Sequence, residues 1–230
     1  MQIGRIRPAG RGGHLRAVTL ADSRRFLVDA ERALPLALTE ATEIDALVLT
    51  RLATLDEETR AREAALALLR YRPRSRAELT GRLRRRGFAL PAVEAVLTDL
   101  VQAGTIDDRR FARLWIDGRL AAGRRGPHRL RAELRLKGVA SDIIEETLRA
   151  ALPPEQEEQM AAAAAARYLS RGQALTLDVR LRRLAGLLRR RGFSGSTIAP
   201  ILREAARQLG PGPNGGTLRR RGRNEVLDPS

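Results

Sequence analysis

The sequence contains no cysteine, which excludes disulfide bonds and thiolate metal sites and is compatible with a reducing compartment. Aromatic residues make up 3% of the chain, too few for a platform on which successive bases of a single strand could stack. There are two histidines: His14 lies in a basic N-terminal region and His128 begins a predicted helix, and neither has an evident catalytic partner. No apolar stretch is long enough to span a membrane, and the N-terminus lacks the core of a secretory signal. Neither a P-loop with its lysine nor a dinucleotide-binding glycine fingerprint is present. Together these absences predict a cytoplasmic, non-enzymatic protein without metal or cofactor.

What the chain has in quantity is arginine. Lysine and arginine number 43 against 27 acidic residues, a formal net charge of +16, which favours an anionic partner, most often nucleic acid. Lys137 is the only lysine, so nearly every cation can fork onto a phosphate or carboxylate. A coding bias toward arginine is an equally good reading of that preference.

The arginines are organised by a repeat. Around Gly87, Gly138 and Gly192 the same register of apolar residues recurs. Eight residues before each glycine stand Leu79, Leu130 and Leu184, and four before stand Leu83, Leu134 and Leu188. Six residues after stand Val93, Ile144 and Ile198, and ten after stand Leu97, Leu148 and Leu202. Leucines four apart share a helix face, and a glycine just beyond them can adopt the left-handed cap, so each copy predicts helix, glycine turn, helix. Ser75 and Glu78 have capping-box spacing, Gly126-Pro127 suits a first helical turn, and Ser141 can cap the helix after Gly138.

Each copy gains a preceding helix: Asp56 to Tyr71 with Ala65, Leu68 and Leu69 inward; the helix after Asp107-Asp108 with Phe111, Leu114 and Trp115 inward; and the alanine-rich run Glu155 to Leu169. The predicted fold is therefore all-α, tandem repeats of three-helix units forming an elongated array, with a short N-terminal β-hairpin. Residues 1–13 are expected to be a disordered basic arm and 14–55 an extension with the hairpin, His14 to Leu20 and Arg25 to Asp29, and a helix from after Thr42. The repeats are assigned to 56–106, 107–152 and 153–209, and 210–230 to a disordered tail.

The candidate binding surface is the basic cluster ahead of each glycine: Arg82, Arg84, Arg85 and Arg86; Arg124, Arg125, Arg129, Arg131, Arg135 and Lys137; Arg189, Arg190 and Arg191. Such a face could follow a phosphate backbone or an acidic protein groove. The bland alternative is that cations at helix C-termini complement the macrodipole and stay solvated. A helix-turn-helix reader fits less well, because sequence reading mixes Asn, Gln and Ser with Arg, and these helices offer almost solely arginine. Asp107-Asp108 reads as a capping pair rather than a metal or acid/base pair, and Trp115 as core beside Phe111.

Residues from about Ala64 to Leu152 resemble the RecX regulatory proteins of bacteria. The resemblance is carried by Pro73-Arg74-Ser75 with Glu78-Leu79, Gly87-Phe88, Gly104 with Ile106-Asp107-Asp108, Phe111-Ala112, Trp115, Gly126-Pro127, Leu130, Leu134 and Lys137-Gly138-Val139. It implies a modulator of RecA, the recombinase that forms filaments on single-stranded DNA, acting in recombination, repair and the SOS response. The family usually restrains filament growth, ATP hydrolysis and strand exchange. The partner implied by the resemblance is the RecA filament; the charge adds single- and double-stranded DNA bound without sequence preference, and the chain is expected to be a monomer. A general DNA-binding protein and a helix-turn-helix transcriptional regulator remain the alternatives.

Overall fold

The computed structural model describes residues 1–10, 12–40, 42–122, 125–171 and 175–210. It separates into two compact units, Met1–Asp117 with Ala132–Leu148 and Gly118–Arg131 with Arg149–Ser230. Arg124 and the tail beyond Gly210 lie outside the described residues.

The chain opens with three antiparallel strands in the order β1 (Ile3–Ala9), β2 (Leu15–Leu20) and β3 (Arg25–Asp29). β2 and β3 form the expected hairpin, turning at Ser23 with φ 68°. β1 corrects the expectation that residues 1–13 are without structure. Its two inward residues, Ile3 and Ile6, are three apart, a spacing that fits no ordinary strand. A register shift between Ile3 and Arg5 absorbs the extra residue, so that Ile3 pairs with Leu20 and Ile6 with Val18 on one face. Asp29 then caps the short helix α1 (Ala30–Ala33), accepting from the Glu31 and Arg32 N–H groups, before a 3-10 turn over Leu34–Leu36.

Helix α2 runs unbroken over Ala46–Tyr71, where two helices meeting near Asp56 were expected. Asp56, where the second helix was expected to begin, serves the sheet instead: its carboxylate accepts from the Leu27 N–H at 2.5 Å, and Thr59 Oγ1 accepts from that of Asp29 at 3.2 Å. No proline or glycine interrupts it. Ile44, assigned to this helix, lies before it beside a bridge between Gln2 and Glu43. The first half of α2 places Leu52 and Leu55 under the sheet with Val18, Leu20 and Val28; its second half places Ala61 and Ala65 against Leu79, Leu83, Val93 and Leu97.

The repeats follow as sequence periodicity requires. The first completes with α3 (Arg76–Arg85) and α4 (Leu90–Gln102), the second has α5 (Asp108–Ala121), α6 (Pro127–Leu136) and α7 (Ser141–Ala151), and the third has α8 (Pro154–Leu169), α9 (Leu177–Arg191) and α10 (Gly195–Leu209). Leu79, Leu130 and Leu184, and likewise Leu83, Leu134 and Leu188, are fully buried, whereas Leu202 is only partly so. On α5 the inward residues are Phe111, Ala112 and Ile116; Leu114 is exposed, and Trp115 is half-buried rather than core.

Candidate functional site

The three glycine turns have one construction. Gly87, Gly138 and Gly192 have φ of 93°, 71° and 87°. Each donates its N–H to the carbonyl three residues back, Arg84, Arg135 or Arg189. The next residue, Phe88, Val139 or Phe193, donates to the buried leucine five back, Leu83, Leu134 or Leu188. This is the paired bonding of a helix closed by a left-handed glycine. Because the leucines point inward, the intervening arginines point out: Arg82, Arg84, Arg85, Arg86, Arg135, Arg189 and Arg190 are exposed, and Arg191 is half-buried.

In the first unit the second turn sits on the start of α3. Ser75 Oγ donates to the Lys137 carbonyl at 2.5 Å and accepts from the Glu78 N–H at 3.1 Å. A Cβ on Gly138 would collide with that of Ala77. Only half of the capping box forms, because the Glu78 carboxylate turns away to Lys137 at 2.8 Å and Arg72 at 3.3 Å. Burial would raise the Glu78 carboxyl, but the hydrogen bonds from Lys137 and Arg72 outweigh it and hold the group below its ordinary range. The Lys137 ammonium also lies 4.9 Å from the Trp115 ring centroid, and Trp115 Nε1 donates to Glu133. Lys137 is thus engaged within the fold.

What this junction leaves open is a groove of about 330 Å³ over Gly81 and Gly138, with Arg82, Arg85 and Arg135 around it and Leu136 on its lip, 88% exposed. These three arginines form no ion pair among the described residues. Arg84 instead donates to the Phe88 carbonyl at 3.1 Å, closing its own turn.

The second unit brings the start of α6 and the end of α9 together. The Gly126 N–H donates to the Arg191 carbonyl at 2.7 Å and that of His128 to the Gly192 carbonyl at 2.9 Å. The positive end of one helix thus meets the negative end of another. A Cβ on Gly192 would collide with the Arg129 backbone nitrogen. Arg125, Arg129, Arg131 and Arg191 gather here and each has a bonding or electrostatic partner, Arg131 with His128 Nδ1 at 3.4 Å among them, while Arg189 and Arg190 remain exposed.

Asp107 and Asp108 both cap. Asp107 accepts from the Arg110 N–H on its own helix, and Asp108 from the Arg76 N–H at the start of α3. Burial pushes the Asp108 carboxyl above its ordinary range, partly offset by that hydrogen bond.

The candidate residues above omit Gly81 and Gly186, each six residues before its turn glycine, on the outer face of α3 and α9. A glycine there is a readable signal, since it costs about 1 kcal/mol relative to alanine in a helix and needs a reason.

Two family models match the chain: that of the first three-helix domain of RecX over residues 61–100, and that of the second over residues 107–148. The regulatory protein RecX of Thermobifida fusca is 40% identical over 149 residues, covering 65% of this chain and 80% of that protein. The regulatory protein RecX of Mycobacterium avium is 41% identical over 146 residues, covering 63% and 84%. A crystal structure of a regulatory protein RecX superposes with a TM-score of 0.75 at 23% identity, covering 88% of this chain and 98% of that one, a likeness of fold.

Proposed function

We propose that this chain, which belongs to the RecX family of regulatory proteins, docks on the RecA nucleoprotein filament through its basic faces and restrains it. The observation that carries the reading is the groove between α3 and the turn at Gly138. There Arg82, Arg85 and Arg135, which form no ion pair among the described residues, stand around the exposed apolar Leu136. Cations around an apolar anchor suit an acidic protein surface, and the same cations suit bound DNA at its edge. The family supports a regulatory role, and the filament as its target is the part we add. A cytoplasmic location and action as a monomer belong to the same proposal.

The test is RecA ATP hydrolysis and filament length against increasing amounts of the protein. Reversing Arg82, Arg85, Arg86 and Arg135 to glutamate should preserve the circular dichroism spectrum, because exposed changes alter stability by about 0.5 kcal/mol each. Inhibition should fall at least tenfold; unchanged inhibition by the folded variant would remove this groove from the working surface. Arg125 and Arg129 are left intact because their segment builds the junction with Gly192.

A second reading, a general DNA-binding protein whose charge alone accounts for its effects, draws on the net charge of +16. Capture of RecA from nuclease-treated components separates the two: retention favours filament docking, and loss favours DNA alone.

A further inference from the structure

The third repeat has a cavity of its own, about 520 Å³, on the outer face of α9 where Tyr168 of α8 approaches it. We infer that this cavity is a binding site for the phosphodiester backbone of nucleic acid. Arg182, Arg183 and Arg190 line it, Gly186 forms part of its wall, and no carboxylate is among the lining residues. The three arginines form no ion pair among the described residues.

The Tyr168 hydroxyl points to a ligand independently of the charge. It is buried and has no hydrogen-bond partner among the described residues, a condition that costs stability unless something supplies an acceptor. The three guanidiniums of α9 offer donors to one space that Tyr168 of α8 also lines. A planar carboxylate is satisfied by a single arginine fork, whereas a phosphate presents oxygens in several directions and uses converging donors. That geometry favours phosphate over an acidic peptide.

Gly186 explains the room. It sits inside a regular helix, where its backbone has no need of glycine, and a Cβ there would meet only the flexible end of Arg190, with Nη1 at 3.1 Å. Within the chain, then, nothing but an open groove is gained by omitting the side chain. Gly81 and Arg85 on α3 stand at the same positions relative to their turn glycine, with the guanidinium at 3.5 Å. Repeat 1 differs in placing Glu78 where repeat 3 has Arg183, so the third repeat carries the groove without an acidic neighbour.

The test uses the full chain without RecA, so it stands apart from the filament reading, which is scored separately by RecA inhibition. A labelled single-stranded oligonucleotide of mixed sequence and a labelled polyglutamate peptide are titrated by fluorescence anisotropy at several salt concentrations. Replacing Arg182, Arg183 and Arg190 by glutamine should weaken oligonucleotide binding about tenfold. It should also reduce the slope of log affinity against log salt by about 0.7 for each phosphate that is no longer neutralised. An equal reduction of charge at Arg5, Arg7 and Arg203 should do clearly less. Gly186→Leu keeps every charge and a helix-favouring residue while filling the wall, and it should lower the affinity with an undiminished Tm. Equal effects of the groove and control triplets, or undisturbed binding by Gly186→Leu, would overturn the site. So would a weakening confined to the polyglutamate peptide.

Discussion

At the scale of single residues, the glycines that look alike in sequence carry different loads. All three turn glycines need a positive φ, which costs an alanine roughly 1 to 2 kcal/mol. A Cβ on Gly87 would meet nothing within 4 Å, whereas one on Gly138 or Gly192 would run into the neighbouring repeat. Gly87→Ala is therefore expected to cost only the conformational term. Gly138→Ala and Gly192→Ala should each cost a further 1 to 3 kcal/mol or so for overpacking, measured by urea denaturation. Glu78 supplies a pH-dependent contribution at the same junction. Its pKa is lower folded than unfolded, so its stabilisation is present above the unfolded value and is lost as pH falls through the folded one. Asp108 has the opposite sign: its pKa is raised, and the cost of its buried anion disappears as pH falls. Glu78→Gln should thus destabilise by about 1 to 2 kcal/mol at neutral pH and converge on the parent in acid.

At the scale of the element, each repeat is held by the leucine pair that its glycine terminates. Replacing Leu83, Leu134 or Leu188 by alanine should cost about 2 to 5 kcal/mol, since all three are fully buried. The outer faces of the same helices follow another rule. Gly81 lies mid-helix, and its Cβ would make an ordinary 3.5 Å approach to Arg85. Gly81→Ala should therefore raise stability by about 1 kcal/mol in thermal melts, a gain left unused where an open groove is kept. Helix α2 shows how an element outgrows its local signals. Its two halves belong to different cores, and Asp56, where a helix was expected to start, accepts from the strand N–H of Leu27.

At the scale of the whole molecule, charge governs association. With a net charge of +16, the protein should bind DNA of any sequence and lose affinity steeply between low and physiological salt, because released counterions supply the driving force. A shallow salt slope with a footprint at one defined sequence would instead mark a reader of bases.

The sequence by itself determined the repeats, their helices, their turn glycines and the inward leucines, because helical period and left-handed capping act over a few residues and leave their register in the chain. It also determined that the arginines between those leucines face outward. Tertiary structure alone decided the rest. The strand at Ile3–Ala9 depends on a bulge that only a pairing partner can stabilise. The long α2 depends on carboxylate and hydroxyl bonds to the sheet. Lys137 reads as one more surface cation until the turn at Gly138 seats it between Glu78 and Trp115, far along the chain from the first. Which arginines stay free is likewise a matter of which helix ends meet. Arg125 and Arg191 are drawn into a junction, while Arg82, Arg85 and Arg135 are left around a groove. Local spacing encodes the direction a side chain faces, and only packing between distant segments settles what it meets there.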